Sequence, residues 1–280
     1  MFTRNINFKN FITLLRSPRM IPKAIGFHWA RALEKPVKMF NDIEVRKFES
    51  FSEYWSASRI MPTPSEINFF EYFCPKEGTI IDVGANIGLF AMYFCAQRPF
   101  AQVCAFEPHP KTFARLRENV QHNNLENVRV FQEALSNRCR RIKLLETQSS
   151  HMNRIDDLSG LSVESGVFID VTTLDKFCTY MNVDEIAFLK VDVEGADVDV
   201  LLGGTTMFQE RRVRAGLIEV SPLQYARYQK SVSQAVDLFR NYGYKLFYVS
   251  KGLEEIQDFS FLYDMPNDQL INLGFVRDEC

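Results

Sequence analysis

From Gly78 onward, short runs of β-branched and aromatic residues alternate with helix-length stretches whose apolar positions recur every three to four residues. This alternation predicts βαβ units and a parallel sheet covered by helices on both faces. Strands are expected at Thr79–Val83, Gln102–Phe106, Val128–Glu133, Ile186–Val193 and Arg214–Val220. Tyr244–Val249 and Leu270–Phe275 would close the sheet. Arg140–Leu145 and Val167–Val171 are also predicted to be extended. Helices are expected at Gly88–Gln97, Pro110–Asn123, Leu174–Met181 and Ser231–Tyr242, the last stopped by Gly243. A polar loop over Thr147–Gly166 is longer than a compact domain usually tolerates without a functional reason, so it is expected to shape a substrate site. Residues 42–77 look helical and aromatic-rich, in two pieces parted by Pro62 and Pro64.

Composition adds little until it is resolved along the chain. The 280 residues are 46% hydrophobic and 24% charged, the profile of an ordinary globular protein, and the formal net charge is −2. Fibrous, low-complexity and disordered classes are excluded. Residues 1–40, however, carry eight basic residues against Glu34 alone, a net +7, which leaves −9 on the other 240. Aromatic and aliphatic residues lie between those charges, so the arm can rest on an anionic membrane surface, hold an acidic substrate, or simply pack as a capping segment. The division expected is a basic, aromatic N-terminal accessory region over 1–78 and a main domain over 79–280.

The six cysteines form no C-x-x-C pair and no Cys/His cluster, and they read as reduced, mostly buried thiols. No stretch has the length of a spanning helix, and no secretory signal is evident, so a cytoplasmic location is expected, with peripheral membrane contact through residues 1–40 as an option. No nucleic-acid partner is expected.

Candidate chemistry concentrates at two places. In Ile80-Ile81-Asp82-Val83-Gly84-Ala85-Asn86-Ile87-Gly88 a buried strand enters a helix through a D-x-G-x-x-x-G turn. Gly84 would permit close approach of a ligand, Gly88 would bring the helix start near the sheet, and Asp82 would accept from ligand donors. Glu107, ending the next strand, stands where a carboxylate can accept both hydroxyls of a ribose. A dinucleotide pyrophosphate site wants a middle glycine, and here Ala85 and Asn86 intervene. The turn therefore favours S-adenosylmethionine, which has a ribose and an amino-acid tail but no phosphate, over a nicotinamide cofactor.

The second place is Phe188-Leu189-Lys190-Val191-Asp192-Val193-Glu194-Gly195, where charged groups alternate along a strand that should be apolar. Such groups are costly to bury unless paired or placed at a ligand edge. Asp192 or Glu194 can act as the base for a hydroxyl, Lys190 can if its pKa is depressed, or Asp192, Glu194 and Glu219 can hold a divalent cation. A structural Lys–Asp pair with Glu194 capping the next helix is the alternative. His109, in the turn after Glu107, is expected to face water.

Taken in order, IIDVGANIGLF, AFEPHP, TFARLRENV, TTLDKF, KVDVEGAD and LIEV resemble the FkbM family of S-adenosylmethionine-dependent methyltransferases from about Thr79 to Val220. The resemblance implies a class I methyltransferase (Rossmann-like) α/β fold: a seven-stranded, mainly parallel sheet with one antiparallel closing strand and helices on both faces, here with a helical N-terminal extension. It implies O-methylation of a sugar, glycan-linked or natural-product hydroxyl. By position, Asp82, Gly84, Asn86 and Gly88 would cradle the amino-acid part of the cofactor and Glu107 its ribose. Glu133 and Ala134 would lie by the adenine, and Lys190, Asp192 and Glu194 would line the reaction site. An NAD(P)-dependent oxidoreductase and a non-catalytic cofactor-binding scaffold are the competing readings.

Overall fold

The computed structural model describes residues 26–27, 35–39, 42–49, 51–58, 62–145, 154–156, 166–251 and 253–278. The chain forms two compact units, one ending at Met61 and the other beginning at Pro62. Helix Pro64–Phe73, inside the region expected to be accessory, is thus counted with the second unit. In the first unit, β1 (Val37–Lys38) and β2 (Glu44–Val45) pair antiparallel, and helix Phe51–Ser58 brings Tyr54 against Phe27 and Phe48. The rest of the expected helical N-terminal extension, including most of the basic arm, lies outside the described residues.

The second unit is built on seven strands. They are β3 (Glu77–Val83), β4 (Phe100–Phe106), β5 (Val128–Phe131), β10 (Ile186–Val191), β11 (Ala215–Val220), β12 (Tyr244–Tyr248) and β13 (Ile271–Arg277), in spatial order β12-β13-β11-β10-β3-β4-β5. All are parallel except β13, which runs antiparallel between β12 and β11. The chain winds outward from β3 to β5, then returns to start again at β10 on the other side of β3. The crevice outside the carboxyl ends of β3 and β10 is therefore a topological switch point, where open α/β sheets take their ligands.

Period-two alternation sends side chains to two helical layers. On one face, Phe188 meets Phe69, Phe70 and Phe94 from helices Pro64–Phe73 and Leu89–Gln97. On the other, Phe275 stacks on Phe239 of helix Val232–Asn241 at 4.5 Å. Helix Leu89–Gln97 has no polar stripe because Phe90 through Cys95 are all buried beneath Phe70 and its neighbours. Helix Pro64–Phe73 starts with a capping box, Thr63 with Glu66, and Pro64 at its first position. Helix Val232–Asn241 has the same device in Ser231 and Gln234. Each satisfies backbone N–H groups that would otherwise be orphaned.

Two strand expectations are corrected. Val128–Glu133 is not one strand: the main-sheet ladder stops at Phe131, held by stacking on Phe106 at 5.0 Å, and Glu133–Leu135 (β6) belongs to a second sheet. That sheet has the order β6-β9-β7-β8, with β7 at Arg140–Leu145, β8 at Arg154–Asp156 and β9 at Val167–Thr172. Its own small core contains Ala134, Ile142, Leu144, Ile169 and Val171. Of the long loop expected over 147–166, Arg154–Asp156 pairs with β7, and most of the remainder lies outside the described residues. The second correction is that β10 ends at Val191, not Val193. Four of the cysteines are buried free thiols and Cys139 is an exposed one. Among the described residues, no helix is long and apolar enough to cross a membrane.

Candidate active site

The carboxyl ends of β3 and β4 assemble the first half of the site. Gly84 has φ 81°, and a Cβ there would stand 1.9 Å from the Asp192 carbonyl oxygen, so close approach of the neighbouring strand excludes any side chain. The N–H groups of Gly84 and Ala85 both donate to the Phe106 carbonyl, which locks the turn to β4. Asn86 then donates its N–H to Glu107 Oε2 at 3.1 Å, and His109 donates its N–H to Oε1 at 2.9 Å. Each Glu107 oxygen is thus gripped by one backbone donor and keeps further lone-pair capacity. Burial pushes the Glu107 carboxyl up to about 7, against the pull of those N–H groups and of Arg115. Gly88 caps helix Leu89–Gln97 at φ 97°.

Asp82 is fully buried, and neither of its carboxylate oxygens makes a hydrogen bond. The Lys190 ammonium is 3.7 Å from Oδ1, an ion pair too long to be a hydrogen bond. Burial raises the Asp82 carboxyl to about 6, opposed by Lys190. A buried carboxylate with a long ion pair and no hydrogen bond of normal geometry is costly, and it fits a site with room for donors from a ligand.

Strands β10 and β11 supply the second half. Lys190 is register partner to Asp82 and shares its face of the sheet. It bonds Asp192 Oδ2 at 3.1 Å and lies 4.4 Å over the Phe90 ring. Burial works against its charge, yet Asp192 and Asp82 outweigh burial and hold its pKa above the ordinary lysine value. The depressed pKa that a lysine base requires is therefore not found. Asp192 is 37% exposed at the rim. Because β10 stops at Val191, the simple alternation of Lys190, Asp192 and Glu194 breaks. Glu194 sits in a left-handed turn at φ 56°, its Oε2 accepting from Gln224 Nε2 at 3.0 Å. Burial, then Asp192 and Asp197, raise its carboxyl to about 7.

Glu219 reaches this rim, as expected from adjacent strand ends: Val191 pairs with Ile218, so Asp192 and Glu219 occupy successive positions beyond the pair. Burial and the charges of Asp192, Asp197 and Glu194 push its carboxyl up to about 9. Glu133 and Ala134 open the second sheet, just after the Phe131 carbonyl that receives the Glu107 N–H. His109 is buried at the start of helix Pro110–His122, its ring near Thr112, rather than exposed to water. Among the described residues, no group of three His, Cys, Asp or Glu side chains is arranged to hold a metal ion, the trio Asp192, Glu194 and Glu219 included.

The roles of two site residues escape the sequence reading. Asp197, not Glu194, caps the turn, accepting the Val193 and Gly195 N–H groups at 3.1 and 3.0 Å. It ends the KVDVEGAD block, two residues after Gly195, at the start of helix Asp197–Leu202. Gln224 follows β11 with no local signal at all.

The methyltransferase FkbM domain model matches residues 82–246. The 2-O-methyltransferase NoeI of Sinorhizobium fredii is 31% identical over 147 residues, 48% of this chain and 60% of that protein. Methyltransferase 1 of Beauveria bassiana is also 31% identical over 147 residues, 46% of this chain and 59% of the other. The hexuronic acid methyltransferase AglP of Haloferax volcanii is 28% identical over 165 residues, 58% and 64% of the two chains. The chain thus spans about three-fifths of the length of these relatives. An rRNA methylase from Streptococcus thermophilus overlays at a TM-score of 0.42 with 9% identity, over 76% of this chain and 93% of that one. The family match covers more than half of the sequence, with Asp82, Glu107, Lys190, Asp192, Glu194 and Glu219 inside it, and the chain belongs to the FkbM methyltransferase family.

Proposed function

We propose that the protein is an S-adenosylmethionine-dependent O-methyltransferase acting on a hydroxyl of a sugar, glycan-linked or natural-product small molecule. The observation that carries this reading is the pair of buried carboxylates at adjacent strand ends, one without a donor and one gripped from behind by two backbone N–H groups. Asp82 would take the cofactor's ammonium group, and Glu107 would accept its ribose hydroxyls. The Gly84 turn with Asn86 would hold the amino-acid tail, Gly88 would start the flanking helix, and Glu133 and Ala134 would flank the adenine. When bound, the cofactor supplies an electrophilic methyl on a sulfonium. A rim of carboxylates suits that cation.

Glu194 is the base in this reading. Its carboxyl is pushed up to about 7, a value suited to a general base near neutrality, and a neutral amide holds it. Asp192 is instead paired to a full positive charge, and Lys190, itself kept charged, orients Asp192 and Asp82. Residues 79–280 would form the catalytic domain and residues 1–78 an accessory region. The relatives that act on a hexuronic acid and at a 2-hydroxyl position support a glycan acceptor.

The test is calorimetric titration of S-adenosylhomocysteine and of NADH. Turnover is then assayed with methyl hexosides and hexuronides, wild type against Glu194→Gln. Binding of the first ligand only, and turnover lost in the variant, is the expected result. Binding of NADH alone would overturn the reading.

A further inference from the structure

The turn after β10 is held from three sides. Glu194 adopts a left-handed backbone, unusual for a residue with a long side chain and typical of functional turns. The buried Asp197 carboxylate bridges the N–H groups of Val193 and Gly195. Helix Pro222–Ala226 lies directly on the turn, since a Cβ on Gly195 would stand 2.5 Å from the Gln224 carbonyl oxygen. From this segment the Gln224 amide reaches Glu194 Oε2. The segment is itself anchored: Ser221 Oγ accepts the Gln224 N–H at 3.4 Å, and the buried Tyr225 hydroxyl donates to the Glu219 carbonyl at 2.7 Å. Gln224 Oε1 is buried and makes no hydrogen bond. Charge dictates this orientation, because a flipped amide would turn its oxygen toward a carboxylate.

We propose that Gln224 is a positioning residue for Glu194, holding the carboxylate in one orientation and favouring its ionised form without a counter-charge that would quench its basicity. This rests on Glu194 being the base. The charged groups around Glu194 are Asp192 and Asp197, which oppose its ionisation, and Arg227 and Lys190, which favour it. Glu219 also interacts with it from β11. Among these, the Gln224 N–H is a neutral donor aimed at one oxygen. Lys190, by contrast, grips Asp192 with a full charge.

The full chain with 13C-labelled glutamate Cδ and saturating S-adenosylhomocysteine reports this directly by NMR titration, the Glu194 signal being identified by its loss in Glu194→Gln. Gln224→Met keeps the length and removes the donor, so the midpoint is expected to rise by about one pH unit. Gln224→Lys places a cation there, so the midpoint is expected to fall below wild type. A role in folding alone would not move the two in opposite directions, and a thermal melt of each variant shows that it is folded. Midpoints unmoved in both folded variants, with turnover on methyl hexosides lost in Glu194→Gln, overturn this inference alone. Turnover retained in Glu194→Gln overturns the base assignment and the inference together.

Discussion

The two halves of the site hold their carboxylates in opposite ways. At β3 and β4 the grip on Glu107 is backbone, through the N–H groups of Asn86 and His109, while Asp82 is sealed into the strand end beside the Lys190 ammonium. At β10 and β11 the grip is by side chains: Lys190 on Asp192 and Gln224 on Glu194, with Asp197 beneath the turn. A backbone cradle follows from the fold and suits an invariant ligand. A side-chain cradle can be altered one residue at a time, which would suit the acceptor binding and proton transfer proposed for this half.

Breaking each half should therefore give different signatures. The largest effect is expected from Glu194→Gln, which should lower turnover about 10²–10⁴-fold, the range for loss of a general base, while S-adenosylhomocysteine affinity stays near wild type. Steady-state kinetics beside calorimetry checks this. The aromatic platform beneath both halves is next. Phe188→Ala empties a site packed by Phe69, Phe70 and Phe94, and denaturant unfolding should show a loss of about 3–5 kcal/mol.

A smaller effect is expected from pH. Glu107 and Asp82 carry carboxyls raised to about 7 and about 6, and the donors of the proposed cofactor would favour their ionised forms. Affinity for S-adenosylhomocysteine should thus weaken as pH falls from 8 to 6, with proton release on binding near neutrality; equal affinity across that range would count against Glu107 as the ribose acceptor. The sign for folding is the reverse. Carboxyls raised in the native state stabilise it at pH values below their unfolded pKa, and that contribution is lost as pH rises through the folded values. The last expectation concerns Glu219, whose carboxyl burial and the neighbouring carboxylates push up to about 9. Because the unfolded carboxyl ionises from about pH 4.5 upward while the folded one resists ionisation, Glu219→Gln should raise the melting temperature at pH 7 by a few degrees, with the gain vanishing below about pH 4.

The fold was largely legible because its determinants are local. Alternating strand and helix periods located all seven main strands, and Pro110, Ser231 and Gly243 marked helix ends near where they occur. What escaped depends on partners distant in sequence. Nothing near Gln132 says that the chain leaves one sheet for another; stacking of Phe131 on Phe106 and pairing of Ala134 with Val171 decide it. The geometry of the β3–β4 half was legible because a glycine turn and a carboxylate at the next strand end are short-range signals. The reaction half was half-legible. The charges of Lys190, Asp192 and Glu194 stood out, but the end of β10 at Val191 and the arrival of Gln224 from beyond β11 are tertiary facts.

In the proposed reading Asp82 and Glu107 act together as one cofactor cradle. Calorimetric titration of S-adenosylhomocysteine at pH 7.5 into wild type and Glu107→Gln tests it most directly. Loss of charge-assisted hydrogen bonds to the ribose predicts affinity about 10–100-fold weaker in the variant with the fold intact. Equal affinity in the two proteins, or no binding by wild type, would contradict it.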